Sequence, residues 1–523
     1  YSYNFFGDVP TEMRDSVVQD RIVANNNSWG RVVGWANFFD DNDFFISRNT
    51  GNAELFGMYS DDVQEYDQLV GDTGLTIVKS SGNDGGSFSN CNPALAGDCD
   101  GLPGNDGFRY DNIATWGIAK NIITVGALED NGVTKTDFSS AGPADDGRVK
   151  PDLVANGRSL TSTGPASDSA ELGGPVWSGT SMSSPVVAGI VGLLVEAWRP
   201  LYPDAPPAVQ APAPELVKAL LVNTAQDLGR VGPDYAYGHG LARAKPAIDA
   251  LIAPNAPGSG ALTPAQYRQA YISEGEELSF RMSLPVGTPT GALKTTLAWT
   301  DLPGKSGSVA RYCNYLNAKQ FCDDDSDCTG GFCQPVACGQ ETIKVAGQPQ
   351  VVDRPCGLEF FDSPATNNLL VNHVDNVKVT DMPSQAGGGD HIVKVYGFTV
   401  SGGQQRFALA ANKAITYLPP NDNFANARAL LNPQAADPNA DNCVTGESPC
   451  PATLYSHNTW YSVNFDATRE AGEPAFLNYS SVWFKFTPEY SGQMVFDTAG
   501  ADFDTKLGVY TGSSVDALTP VVT

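Results

Sequence analysis

Around residues 253–262, a stretch rich in Pro, Gly and Ala, the spacing of apolar residues along the chain changes. Before it, short apolar runs alternate with helical segments. Residues 22–24, 76–79 and 122–125 predict buried strands of a parallel sheet, each flanked by Gly or Asn turns. Residues 185–198 predict an apolar helix that starts after a Ser-rich turn and stops before Pro200; residues 215–224 predict a second. Strands alternating with helices make an α/β domain, a parallel sheet flanked by helices, over residues 1–255.

After the break the period becomes two. Residues 278–282, 295–299, 377–379, 391–395 and 407–411 alternate between apolar and polar, with Gly-rich turns between them, and predict a β-sandwich over 256–417. A Cys-rich stretch at about 311–356 interrupts this pattern and reads as a stapled insertion. A second break, Leu418-Pro419-Pro420-Asn421-Asp422, opens another all-β region over 418–523, in which residues 481–486 and 493–497 alternate. The fold class is therefore α/β followed by two all-β sandwich or jelly-roll domains.

Composition narrows the setting. With 32 Lys and Arg against 59 Asp and Glu, a formal charge of −27, the surface repels phosphate backbones and excludes nucleic acid as a partner. The same acidity suits structural Ca²⁺, whose ligands are carboxylate and carbonyl oxygens. No apolar run approaches the roughly 18 residues of a membrane span. Ten cysteines fall into three groups: Cys91 with Cys99, Cys443 with Cys450, and Cys313, Cys322, Cys328, Cys333, Cys338 and Cys356 together. An even count at short spacings reads as disulfide staples and an extracellular setting. Zinc is the rival for the six-Cys group, although paired CxxC knuckles are absent. The chain opens on Tyr1-Ser2-Tyr3-Asn4, without Met or a leader, and stops at Val521-Val522-Thr523 without a closing element, which reads as a cut at either end of a longer precursor.

The segment that carries chemistry is Gly179-Thr180-Ser181-Met182-Ser183-Ser184-Pro185, followed at once by the apolar helix. A serine at a helix N-terminus is surrounded by unpaired backbone N–H groups and the positive end of the helix dipole. Those features stabilise negative charge developing on an attacked carbonyl oxygen. The plain alternative is an N-cap serine, the ordinary use of Ser at that place.

Further blocks occur in order: Asn25-Asn26-Asn27-Ser28-Trp29-Gly30, Ser80-Ser81-Gly82-Asn83-Asp84-Gly85, Lys120-Asn121-Ile122-Ile123-Thr124-Val125-Gly126-Ala127, Phe138-Ser139-Ser140-Ala141-Gly142-Pro143, and Asp146-Gly147-Arg148-Val149-Lys150-Pro151-Asp152-Leu153. Together they resemble the subtilase family of serine peptidases, over nearly all of residues 15–250. The resemblance implies Ser181 as the acylated nucleophile and Asn83 as side-chain donor of the oxyanion hole, beside the Ser181 backbone N–H. It implies Ser28, Trp29 and Gly30 as one wall of a cleft that binds an extended peptide as an added strand. Ser80, Ser81 and Gly82 match the opposing wall of the first specificity pocket. Asp84 matches its mouth, implying tolerance of a basic substrate residue.

The resemblance also implies an Asp and a His upstream of the Asn-Ser-Trp-Gly block, because a serine needs a base and the base an orienting carboxylate. Of the four histidines, none precedes Ser28; His239, His373, His391 and His457 all follow Ser181. Asp72-Thr73-Gly74 matches the Asp motif by letter, yet falls after that block, in what reads as a loop leading into a strand. Tyr3-Asn4-Phe5-Phe6 reads like a strand. The triad Asp and His are therefore expected upstream of residue 1, in a segment that remains a partner if it is cleaved.

Downstream, Leu297-Ala298-Trp299-Thr300-Asp301-Leu302-Pro303-Gly304 and Asn367-Asn368-Leu369-Leu370-Val371-Asn372 resemble the jelly-roll-like sandwich fused to some subtilases. Asn421-Asp422-Asn423-Phe424, Ser481-Val482-Trp483-Phe484-Lys485-Phe486 and Asp502-Phe503-Asp504-Thr505 resemble pre-peptidase C-terminal domains. Asp502 and Asp504 are candidate Ca²⁺ ligands, serving equally well as turn carboxylates. The expected function is a secreted serine endopeptidase acting on protein or peptide substrates, with no cofactor for catalysis; the alternative is a catalytically silent extracellular binding protein on the same scaffold.

Overall fold

In a computed structural model, the described residues are 8–30, 35–40, 43–48, 56–57, 59–85, 102–103, 109–110, 112–144, 148–163, 176–201, 211–252, 266–284, 293–303, 311–313, 321–322, 333–335, 340–345, 348–353, 357–363, 376–382, 389–400, 405–418, 424–429, 471–473, 481–487 and 507–522. The first half carries helix α1 (Val9–Asp20), strand β1 (Ala24–Asn27), the hairpin β2 (Trp35–Asp40) and β3 (Asp43–Arg48), and helix α2 (Asp61–Thr73). Strand β4 (Thr76–Ser80), the short pair β5 (Leu102–Pro103) and β6 (Arg109–Tyr110), and strands β7 (Ile123–Leu128) and β8 (Leu153–Asn156) follow. Helices α3 (Thr180–Trp198), α4 (Pro214–Thr224) and α5 (Ala244–Ile252) complete it.

Four strands form one parallel sheet in the order β1-β4-β7-β8. Every residue of β4 and β7 is buried, as a parallel sheet covered on both faces requires. Alternation in the strands divides the faces. Ile77 packs with Met13, Val63, Tyr66 and Leu69 of α1 and α2, whereas Val78, Ile123, Val125 and Leu153 pack under α3, α4 and α5.

Several elements differ from the sequence expectation. The first strand lies at Ala24–Asn27, two residues beyond the expected 22–24, because the Arg21 αL cap of α1 takes up the preceding turn. Helix α3 starts at Thr180, five residues before Pro185; the proline removes the N–H that would bond the Ser181 carbonyl, and Ser28 Oγ donates to that carbonyl instead at 3.0 Å. Asp72-Thr73-Gly74 is the end of α2 rather than a loop: Gly74 caps the helix in the left-handed region (φ 67°) and Asp72 pairs with Arg14 at 2.6 Å. Helices α1, α2 and α5 and strand β8 had no sequence assignment. Residues 3–6 and 493–497 lie outside the described residues.

Over Thr180–Leu201 the chain is apolar enough to cross a membrane by length and composition, against the expectation that no run qualifies. The reason for its apolarity is structural. Val187, Ile190, Val191, Leu194, Val195 and Trp198 are buried, most of them in the core above the parallel sheet.

The second half is antiparallel. Strands β9 (Tyr267–Ile272), β10 (Glu277–Leu284) and β11 (Leu293–Trp299) precede the Cys-rich stretch, which holds β12 (Arg311–Cys313), β13 (Phe321–Cys322), β14 (Cys333–Pro335), β15 (Gln340–Val345) and β16 (Gln348–Asp353). Strands β17 (Gly357–Ser363), β18 (Val377–Met382), β19 (Gly389–Thr399), β20 (Gln405–Ala411) and β21 (Thr416–Leu418) follow. Two four-stranded sheets, β17-β19-β10-β21 and β18-β11-β20-β9, enclose one core that includes Phe280, Leu297, Trp299, Val393, Val395 and Phe407. No cysteine side chain falls among the described residues. Beyond β21 the description is sparse: β22 (Arg428–Ala429) pairs with β23 (Phe484–Lys485), β24 (Val509–Thr511) pairs with β25 (Thr519–Val522), and Trp483 packs edge-on to Phe424 at 5.1 Å.

Helix α4 joins the halves. It is buried from Pro214 to Asn223, and its apolar residues share a core with Tyr267, Ala298, Val377, Ala408 and Ala410 of the antiparallel sheet. Polar contacts rim this seam. Asn223 Nδ2 donates to Thr296 Oγ1 (3.2 Å), Thr300 Oγ1 donates to Glu215 Oε2 (2.9 Å), and Arg406 pairs with Glu215. Lys120 Nζ reaches Asp301 at 2.6 Å, and Asn121 Nδ2 donates to the Asp301 carbonyl at 2.7 Å.

Beside the seam, Asp152 is buried with two cations, Lys150 Nζ at 2.7 Å and Lys218 Nζ at 2.8 Å. Burial alone would raise the Asp152 carboxyl, but the two lysines outweigh it and hold it down at about 2. Because the folded value lies below the ordinary 3.8, its contribution to stability is complete above that value and is lost as pH falls toward 2. Asp152→Asn leaves two buried ammonium groups without a counter-charge. It is expected to cost about 3–5 kcal/mol at pH 7 in urea unfolding, with the difference from the parent shrinking below pH 4.

Candidate functional site

The site lies where α3 begins. Gly179 precedes the helix with φ 154°, a region that disfavours side chains, and its N–H donates to the Gly157 carbonyl at 2.8 Å. A Cβ on Gly157 would in turn meet the Gly179 carbonyl oxygen at 2.8 Å, so two glycines let the turn pass close to the end of β8. The turn delivers Ser181 to the first turn of α3, where backbone N–H groups have no intrahelical partner.

Ser181 is half-buried and held by Ser28 from both sides. Its Oγ donates to the Ser28 carbonyl at 3.1 Å, and Ser28 Oγ donates to the Ser181 carbonyl at 3.0 Å. Ser28 Oγ also shares a hydrogen bond with Ser184 Oγ at 2.8 Å, inside the same helix turn. The end of β1 and the start of α3 are thereby locked together.

Asn83, exposed after β4, approaches from the other side. Its Oδ1 accepts from the Thr180 N–H at 2.9 Å and from Thr180 Oγ1 at 3.0 Å. Fixing the oxygen fixes the amide, and Nδ2 is left to donate beside the Gly179–Ser181 turn, 3.6 Å from where a Gly179 Cβ would stand. Thr180 Oγ1 also accepts from the Gly82 N–H at 3.3 Å. A single threonine, not singled out by sequence reasoning, therefore positions Asn83 and the loop bearing it.

The remaining expected residues join the same network. Ser81 donates its N–H to Val125 O (2.9 Å) and its Oγ to Ser140 O (3.3 Å); the Asp84 N–H donates to Ser140 Oγ at 3.0 Å. The Phe138-Ser139-Ser140-Ala141 block thus braces the 80–85 loop. Burial pushes the Asp84 carboxyl up to about 7, so it is no firmly ionised anion at neutral pH. Trp29 donates Nε1 to Asn27 Oδ1 at 3.0 Å and packs edge-on to Trp116 at 4.7 Å. Ser80 and the Trp29–Gly30 segment are linked by Lys79, whose Nζ donates to the Trp29 carbonyl and to Ser80 O and Oγ, both at 3.3 Å. Lys79 was legible as a charged residue inside an otherwise uncharged strand run.

Two of the four histidines fall among the described residues, and neither hydrogen-bonds to Ser181. The His239 backbone N–H donates to the Asp152 carbonyl at 2.9 Å, and burial pushes its imidazole down to about 3, keeping it neutral. His391 lies opposite Met282 in the antiparallel sheets. Among the described residues no group of three or more His, Cys, Asp or Glu is gathered to hold a metal; Asp502 and Asp504 lie outside them.

Residues 8–240 match the model of the subtilase family, Peptidase S8. Serine protease AprX of Bacillus subtilis (strain 168) is 36% identical over 116 residues, 19% of this chain and 26% of that protein. C5a peptidase of Streptococcus pyogenes serotype M3 is 35% identical over 125 residues, 23% of this chain and 10% of that protein. The chain thus spans about a quarter or less of the length of these relatives. Among solved structures, the patellamide maturation protease PatA aligns over 47% of this chain and 68% of its own, at 18% identity and a TM-score of 0.31. Residues 8–240 are a domain of the subtilase family.

Proposed function

We propose that this chain is the nucleophile-bearing part of a secreted serine endopeptidase, hydrolysing peptide bonds through an acyl-enzyme on Ser181. The observation that carries the reading is the clamp of Thr180 on Asn83 Oδ1, which aims a side-chain amide donor at the turn holding Ser181. Ser181 Oγ attacks the substrate carbonyl carbon and loses its proton to a base. The oxyanion that forms lies between Asn83 Nδ2 and the Ser181 N–H, both fixed before the reaction starts. Collapse expels the amine, which takes up the proton, and leaves the acyl group on Oγ; water then attacks the ester and frees the acid.

The base and its carboxylate are a His and an Asp contributed from upstream of Tyr1. The acidic surface and clustered cysteines support an extracellular setting, and the relatives' printed names support a protein or peptide substrate. One observation favours a silent binding protein instead: the Ser181 hydroxyl donates to a backbone carbonyl, not to a base.

Labelling separates the two. Full-length protein carrying the upstream segment should react at Ser181 with a fluorophosphonate, and Ser181→Ala should abolish the label; an unlabelled full-length protein refutes the peptidase. Asn83→Ala is expected to lower peptide turnover by about 10²–10³, the loss that subtilisin itself shows for its oxyanion asparagine, while KM changes far less.

A further inference from the structure

Lys79 occupies a strand position where an apolar residue would cost nothing. Every residue of β4 is buried, and Lys79 itself is 3% exposed. Among the described residues its ammonium touches neutral groups: the Trp29 carbonyl, Ser80 O and Oγ, and the Trp29 ring, whose centroid lies 5.8 Å away. Among the described residues no carboxylate forms an ion pair with it, in contrast to Lys150 and Lys218, which share Asp152. Burial without a counter-charge pushes its pKa down to about 7. A buried cation is costly without an anion beside it, and the described residues supply none.

The position of Nζ says where that anion would arrive. It bridges the two segments assigned above as cleft walls, Ser28–Gly30 on one side and Ser80–Gly82 on the other. Gly30 is exposed, and a Cβ built on it would find one atom within 4 Å, Lys79 Nζ at 3.9 Å. Among the described residues nothing else stands in front of this glycine, and the ammonium lies beside it. Burial raises the Asp84 carboxyl at the rim to about 7, so it opposes an incoming anion least below neutral pH.

We propose that the pocket between Gly30 and Ser80 selects an acidic side chain of the substrate, glutamate in particular, whose carboxylate pairs with Lys79. This rests on the peptidase reading of Ser181. A chain of net charge −27 repels acidic peptides at long range, so the preference is local and survives salt that screens the surface. The carboxylate completes a site whose neutral acceptors already orient the ammonium, and Gln, of the same shape, does not.

The test uses the full-length protein and peptides that differ only at the residue before the cleaved bond. At pH 6.5 kcat/KM for Glu should exceed that for Gln by at least tenfold. The ratio should narrow as pH rises to 8.5, because Lys79 loses its charge while Asp84 at the rim, raised to about 7, gains one. Lys79→Met should abolish the Glu preference while a Leu peptide is still cleaved. Equal rates for Glu and Gln in the parent, or a Glu preference that persists in Lys79→Met, overturn the proposal, as does loss of all peptides alike, which marks a purely structural tether. Fluorescence anisotropy with the same peptides on Ser181→Ala reads the Glu-over-Gln difference without hydrolysis. Failed labelling of Ser181 therefore sinks the peptidase, and equal binding of Glu and Gln sinks the pocket.

Discussion

A buried aspartate shared by two lysines sets the position of much else in this molecule. Asp152 stands just before β8 and accepts the Thr124 N–H at 2.7 Å, so it ties the entry of β8 to β7. Through Lys218 it ties both strands to α4, and Lys218 also donates to the Lys120 carbonyl at 2.8 Å. From that anchor β8 runs four residues to Gly157, whose carbonyl receives Gly179, and Gly179 delivers Ser181. The place of Ser181 thus follows from an ionic cluster at the opposite end of one short strand. Removing Asp152 leaves two uncompensated ammonium groups in the interior, whereas removing either lysine leaves the other paired with Asp152, so the carboxylate is the member the cluster depends on.

The site divides into parts made in advance and a part that is not. Thr180, Ser140 and Ser28 hold the amide donor, the 80–85 loop and the serine itself with neutral hydrogen bonds, each worth about 1 kcal/mol but acting together on few atoms. Stabilising charge needs only fixed donors, and these are fixed. Accepting a proton needs a group of suitable pKa within reach, and the described residues offer Ser181 only a backbone carbonyl. Fixed hydrogen-bond donors and a base for proton transfer are separate requirements here, and the described residues meet the first.

Much of this was readable in the residues. The buried strands at 76–79 and 122–125, helix α4 and all five strands expected between 278 and 411 were visible because burial leaves a simple periodicity. Helices α1 and α2 escaped because their buried face is narrow: Val9, Met13 and Ser16 in the one, Val63, Tyr66, Leu69 and Val70 set among acidic residues in the other. Their caps were nonetheless written in the sequence, since Asp8 accepts the Thr11 N–H at 3.2 Å and Gly74 ends α2. Ser181, Asn83 and Ser28 were singled out by motif, and the fold brings them together. Thr180 and Ser140 were not singled out, because a hydroxyl that positions another residue looks like any other hydroxyl until the fold brings the two together.

Helix α4 has a consequence for how such a chain can change over generations. It is clad on one side by the parallel sheet and on the other by β11 and β20, so neither cladding can be exchanged as a cassette. Recombination at the Pro- and Gly-rich junction near residue 255 would look harmless in the sequence, yet would strip an apolar helix bare. The part that looks like an accessory is, for the helix beneath it, half of the core.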